Sequence, residues 1–220
     1  MTAQAGSASF SPMHSPIERD RIRREIRAQR RALLPAARAK AATCFAKVAT
    51  RARVLTPSMR VAFYVPHQGE ADPSILIERA RVLHCEVFLP VITDYRQSRM
   101  RFAPFRARDP LVANRYGIGE PRGSRTRAVP VRSLDLIFLP LVAVDPRGWR
   151  LGSGAGFYDR CLAHLREPRR WRRPKLLGLA YEFQRIEHIA PQPWDVPLDA
   201  VLTEKNLYQI THDGASREEL

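Results

Sequence analysis

LDLIFLPLVAVDPRGWRLGSGAGFYDRCLAHL, residues 134–165, is the stretch from which the fold can be read. Leu134-Asp135-Leu136-Ile137-Phe138-Leu139-Pro140 is a short apolar run closed by proline, the pattern of a strand buried on both faces. The chain breaks at Asp145-Pro146-Arg147-Gly148 and resumes at Trp149-Arg150-Leu151. Gly152, Gly154 and Gly156 then alternate with small residues, and a helical pattern follows. Alternating glycines expose consecutive N–H groups and let a ligand approach the main chain closely. A helix N-terminus adds partial positive charge, so the place suits phosphate. With Arg150 before the loop and Asp159 after it, one short segment holds an anion cradle, a guanidinium and a carboxylate able to hold a metal. The alternative is a tight turn that closes a hairpin onto a helix. The spacing is neither the phosphate loop ending in Lys-Ser/Thr nor G-x-G-x-x-G. Ser153 directly follows Gly152, which removes it from the G-x-S-x-G nucleophile pattern.

Upstream, Ser15-Pro16-Ile17-Glu18 combines a hydroxyl N-cap, proline at N1 and glutamate at N3, and predicts a helix to about Leu34. Arg19, Arg23, Arg27 and Arg30 share one of its faces. That face is either solvated or supplies one or two phosphate contacts. Pro35 opens a second, alanine-rich helix to about Arg53, with Phe45 and Val48 as core anchors. Val61–Val65 reads as a buried strand, 73–83 as a helix and 86–90 as a second strand. Glu70 falls just past the first strand, at the sheet edge where α/β proteins bind ligands. Met100–Phe105 reads as an edge strand because of Pro104. Residues 106–133 show no periodic element, although Tyr116-Gly117-Ile118-Gly119-Glu120-Pro121 looks like an ordered turn. Leu176–Tyr181 and Val201-Leu202 supply further strands, the last near Asp195 and Asp199. Alternating strands and helices predict a three-layer α/β/α single domain with a largely parallel sheet and N-terminal helices. It spans residues 15–210, between a disordered tail at 1–14 and a flexible C-terminus at 211–220.

The 220 residues carry a net charge of +15, almost all the cations being arginine. Such a bias also follows from a GC-rich genome, and the arginines do not alternate with aromatics as a stacking platform for nucleic acid would require. No apolar run approaches the roughly 18 residues of a membrane span. Cys44, Cys85 and Cys161 are far apart and in no C-x-x-C arrangement, which fits a reducing compartment. The expectation is a soluble cytoplasmic protein. No spacing among the histidines favours a metal. Tyr64, Tyr116, Phe157 and Tyr158 can line a pocket for a flat ligand, with core packing the alternative for Tyr64 and Phe157.

RLGSGAGFYDR, preceded by LDLIFLPLVAVD, resembles the signature of the 5-formyltetrahydrofolate cyclo-ligases, also called 5,10-methenyltetrahydrofolate synthetases. IRREIRAQRRAL, GEADPSILI, FLPVIT followed by MRF, YGIGEP and WDVPLDAVLTE are similar to further family blocks in family order, covering about residues 19–204. The resemblance implies an α/β/α fold and an ATP site at Arg19, Arg23, Arg150, Leu151, Gly152, Ser153, Gly154, Ala155, Gly156, Phe157 and Tyr158. Arg19 stands where family members commonly carry lysine. It implies Mg²⁺ at Asp159 and Asp195. It also implies a folate site at Val65, Glu70 and Tyr116, bordered by the loop from Ser153 through Gly154, Ala155 and Gly156 to Phe157. Arg150 and Asp159 are the residues expected to act on the reacting phosphate.

The implied reaction converts 5-formyltetrahydrofolate, polyglutamylated or not, to 5,10-methenyltetrahydrofolate with release of ADP and phosphate. The formyl oxygen attacks the γ-phosphate to give an N5-iminium phosphate, and N10 then closes the ring. Positioning and charge stabilisation carry such a phosphoryl transfer. Two anionic substrates also fit a basic protein. A monomer is expected, with no specific nucleic-acid partner and no membrane.

Overall fold

The computed structural model describes residues 16–123, 125–165 and 174–211, with the backbone of 216–218. The tail expected at 1–14 and the Ser15 cap lie outside the described residues. Two helices come first, α1 (Pro16–Ala32) and α2 (Pro35–Arg51). Leu34 between them is extended, with φ −65° and ψ 149°, because the ring of the following proline disfavours helical backbone there. Pro35 then starts α2 without losing a hydrogen bond, since the first helical N–H has no partner inside the helix.

Strand β1 (Arg60–Ala62) and β2 (Glu86–Asp94) flank α3 (Ser74–Val82), and β3 (Arg99–Pro104) turns back along β2. A small hairpin, β4 (Leu111–Ala113) and β5 (Gly119–Pro121), precedes β6 (Leu136–Pro140). A second hairpin, β7 (Ala143–Val144) and β8 (Arg150–Leu151), leads through the glycine loop to α4 (Phe157–Leu162). Strands β9 (Lys175–Leu179), β10 (Ala200–Leu202), β11 (Leu207–Ile210) and β12 (Ser216–Glu218) follow. The main sheet runs β12-β11-β10-β9-β6-β1-β2-β3. From β10 to β2 every pairing is parallel, and the outer strands are antiparallel. β6 lies at the centre, as its apolar run predicts.

The two-residue period of the strands sorts their side chains into two cores. Val61, Phe63, Leu136, Phe138, Leu177 and Leu179 meet Phe45 and Val48 of α2 and Leu76 of α3 on one face. Ala62, Ile137, Leu139 and Leu176 meet Leu162 of α4 on the other. Phe63 and Phe138 stack with centroids 4.7 Å apart. Helices thus cover both faces, and the three-layer, largely parallel architecture is the one expected.

The differences lie in short elements. The 106–133 segment, expected to lack periodic structure, contains the β4–β5 hairpin. Asn114 Oδ1 accepts the N–H groups of Tyr116 and Ile118, and Gly117 takes φ +76°. Strands of three residues are too short to show an alternation. The chain also continues past β10 into β11 and β12, the latter lying in the stretch expected to be a flexible C-terminus. Among the described residues no helix is long and apolar enough to cross a membrane.

Candidate active site

β1 and β6 are parallel neighbours and end at the same edge of the sheet. Val65 and Glu70 leave β1 there, while Leu141, Val142 and the β7–β8 hairpin leave β6. Ends of adjacent parallel strands diverge into a crevice of the kind that binds ligands. The hairpin turn is built on Asp145, only 3% exposed. Its Oδ1 accepts from Arg147 N and Trp149 N, and its Oδ2 from Ile189 N and the Arg147 guanidinium. Gly148 closes the turn at φ +82°. The hairpin that stood as the alternative to an anion cradle is therefore present, and the glycine loop follows it.

In that loop Gly154 has φ +107° and Gly156 φ +69°. A Cβ on Gly152 or Gly154 would meet nothing within 4 Å, so the main chain borders open space. α4 has only six residues, and a helix that short adds little dipole. The positive potential comes instead from arginines. Arg23 Nε donates to Gly152 O at 3.1 Å, and Arg27 Nη2 to Ser153 O at 3.0 Å. Arg19 Nη1 donates to Ala190 O, and its Nη2 lies 3.7 Å from Asp195 Oδ2. Arg30 is 2% exposed, and its Nε and Nη1 have no partner among the described residues. The arginine face of α1 thus turns onto the sheet edge and is not a solvated face.

Two cavities meet at the loop. One, about 380 Å³, is bordered by Tyr64, Val65, Glu70, Tyr116, Pro140 and Phe157. The other, about 890 Å³, is bordered by Arg19, Asp20, Arg23, Gln192, Trp194 and Asp195. Arg150, Gly152, Gly154, Ala155, Gly156 and Asp159 border both. The expected folate residues Val65, Glu70 and Tyr116 are thus brought to the first cavity, and Arg19, Arg23 and Asp195 to the second. Ser153, Phe157 and Tyr158, expected at ATP, face the first cavity only. Leu151 faces neither; it is buried beside Ala143 and Ile189.

Arg150 is 5% exposed. Its Nη1 donates to Val196 O and its Nη2 to Asp159 Oδ1, each at 2.5 Å. Burial pushes its pKa down, and the charges of Asp159 and Asp195 oppose that. Asp195 Oδ2 also accepts from Gln192 N. Two carboxylates on one cavity wall, beside cations that a phosphate could engage in their place, are a hard-oxygen donor set of the kind Mg²⁺ uses with substrate oxygens and water. In the first cavity, desolvation pushes the Glu70 pKa up, opposed by the N–H of His67 and the charge of Arg30. Tyr116 is 45% exposed at the cavity mouth and meets Phe157 edge-on at 5.9 Å.

Sequence reasoning assigned no role to Glu120, Gln192 or Trp194, and named Arg30 only as one member of the α1 arginine face. Glu120 ties the β4–β5 hairpin to β2 by accepting from Ile92 N and Asn114 Nδ2. Trp194 sits one residue before Asp195 and carried no periodic signal of its own. The arginine spacing of α1 was visible, but which face of α1 meets the sheet edge depends on tertiary packing.

Comparison with known proteins shows the family and the fold. The model of the 5-formyltetrahydrofolate cyclo-ligase family matches residues 17–204. A 5-formyltetrahydrofolate cyclo-ligase of Haemophilus influenzae is 32% identical over 187 residues, covering 84% of this chain and 97% of that protein. That of Escherichia coli K12 is 33% identical over 189 residues, covering 84% and 99%. The solution structure of Aquifex aeolicus 5,10-methenyltetrahydrofolate synthetase superposes with a TM-score of 0.70 at 30% identity, covering 91% of this chain and 96% of that one. The Mycoplasma pneumoniae synthetase shares the fold, with a TM-score of 0.64 at 20% identity over 85% of this chain and 99% of that one. The chain is a ligase and belongs to the 5-formyltetrahydrofolate cyclo-ligase family.

Proposed function

We propose that the protein converts 5-formyltetrahydrofolate to 5,10-methenyltetrahydrofolate at the expense of ATP, with Mg²⁺, at the loop between the two cavities. The conversion itself is that of the family. The observation that supports the two-substrate reading is the shared wall: Arg150, Asp159 and the glycine loop border an aromatic-lined cavity and an arginine-lined one at once. A flat, largely apolar heterocycle suits the first, and a polyphosphate suits the second.

A formyl amide oxygen is a poor leaving group, so ring closure needs it converted to a better one. Transfer of the γ-phosphoryl group from ATP to that oxygen breaks the bond to the β–γ bridging oxygen, releases ADP and leaves an N5-iminium phosphate. N10 adds to the activated carbon, loses its proton, and phosphate departs with the former formyl oxygen. The protein's part is alignment across the loop and stabilisation of charge. Arg19 and Arg23 hold the phosphates on the α1 side, and Arg150 serves the reacting centre from below the loop. Glu70 anchors the heterocycle, and Tyr116 borders it. Mg²⁺, held by Asp159 and Asp195, would neutralise phosphate oxygens. The α1 arginines turn onto the glycine loop and the second cavity, a concave site rather than an open face, which argues against an RNA surface. Three free cysteines suit a cytoplasmic setting.

The test mixes purified protein with 5-formyltetrahydrofolate, ATP and Mg²⁺ and follows methenyl formation by absorbance. No turnover above that of an Asp159→Asn control would sink the proposal.

A further inference from the structure

The least compensated side chain in the first cavity is Arg30. It is 2% exposed. Its Nε and Nη1 are shut off from solvent without a hydrogen-bond partner among the described residues. Buried guanidinium N–H groups left unpaired are costly, and natural structures retain them where something else completes them. Arg30 is fixed in place from behind, because its own carbonyl accepts from Arg38 Nη2 at 2.9 Å. Its side chain borders the 380 Å³ cavity together with Glu70. Glu70 Oε2 is engaged by His67 N, and among the described residues no hydrogen bond or ion pair joins the carboxylate to Arg30. The cavity wall therefore offers an acceptor and a donor that feel one another's charge but are not spent on each other.

A cyclic amide edge, N–H beside C=O, is the complement of such a pair. On the proposed function, the pterin of 5-formyltetrahydrofolate carries this edge at N3–H and O4. We propose that Arg30 is a substrate-specificity residue: its Nη2, the guanidinium nitrogen not shut off from solvent, donates to O4 while Glu70 accepts from N3–H, and together they select an oxo-pterin over a 4-amino one. A 4-amino group at that place is a donor facing a cation, and a site built to hydrogen-bond one group rejects its misfit strongly.

The test compares wild type, Arg30→Met and Arg30→Lys by steady-state kinetics, by calorimetric titration with 5-formyltetrahydrofolate without ATP, and by thermal unfolding. Loss of a charged hydrogen bond predicts a rise in folate KM of about 10- to 100-fold for Arg30→Met. The KM for ATP should stay within twofold, and Arg30→Lys should recover part of the loss. The apo Tm of Arg30→Met should be unchanged or higher, because an unpaired buried charge has gone. Competition with the 4-amino-4-deoxy analogue should show strong discrimination in the wild type and little in Arg30→Met. Unchanged folate KM and discrimination in both variants would overturn the inference, as would a fall in Tm with both KM values rising together. A wild type that neither turns over nor binds the folate defeats the proposed function and this inference with it. A wild type that turns over, with variants matching it, defeats this inference alone.

Discussion

Asp159 Oδ1 and Arg150 Nη2 lie 2.5 Å apart beneath the glycine loop, with the arginine side chain only 4% exposed. The pair couples the loop's helix to the hairpin strand that precedes it. It also keeps a buried cation compensated. Asp159→Asn should leave the arginine short of its counter-charge while retaining an acceptor. The expected outcome is a loss of about 2 kcal/mol in urea unfolding and a turnover at least about 100-fold below wild type. Equal stability with full activity would show that the pair has no role.

Asp195 is held differently, by Gln192 N and the more distant Arg19. Asparagine at 195 can keep the backbone contact, so stability should change by less than about 1 kcal/mol. The Mg²⁺ concentration for half-maximal turnover should rise about tenfold. A chelator should abolish turnover in the wild type, and added Mg²⁺ should restore it.

Glu70 makes the site pH-dependent in a definite sense. Desolvation raises its folded pKa above the ordinary carboxylate value of 4.5. A raised acid binds its proton more tightly in the fold, so ionisation costs stability as pH climbs through and above that window. Glu70→Gln should therefore be more stable than wild type at neutral pH, with the advantage vanishing below the ordinary value. Affinity for the folate should fall as pH is lowered through that window towards 4.5, because protonation removes the charged acceptor. Calorimetric titration should show that fall in wild type and a flat profile in Glu70→Gln.

The glycines separate structural from functional demands. A Cβ at Gly148 would stand 2.8 Å from Leu198 O with φ at +82°, so Gly148→Ala should cost about 3 kcal/mol in denaturant unfolding. A Cβ at Gly154 meets no atom, and only its φ of +107° is at stake, about 1–2 kcal/mol. On the proposed function Gly154→Ala should nonetheless raise the KM for ATP several-fold, because the main chain there borders the open space assigned to the phosphates.

Much of this was legible in the sequence, and the rest was not for identifiable reasons. The runs at Val61–Phe63, Leu136–Leu139 and Leu176–Leu179 are apolar on both faces because both faces are covered, and that pattern gives a parallel sheet. The glycine loop advertised itself through composition alone. Asp159 and Asp195 are 36 residues apart in the chain, and only the return of the chain past β9 brings them to one cavity; family resemblance supplied that link, spacing could not. Arg30 looks like its neighbours Arg23 and Arg27 in any helical projection. Its burial comes from where α1 crosses the sheet edge. The β4–β5 hairpin and β11 escaped because strands of three and four residues hold too few alternations to count.

The bonds from α1 to the glycine loop have a temporal consequence. Arg23 reaches Gly152 across 129 residues, Arg27 reaches Ser153 across 126, and Arg19 reaches Ala190 across 171. Contacts of such separation close late, after the loop entropy between them has been overcome. During synthesis α1 is the first described helix to leave the ribosome, and it must wait for nearly the whole chain before it finds its carbonyls. A refolding chain should regain far-UV ellipticity before it regains folate affinity, making ligand binding a clock for the final step of assembly.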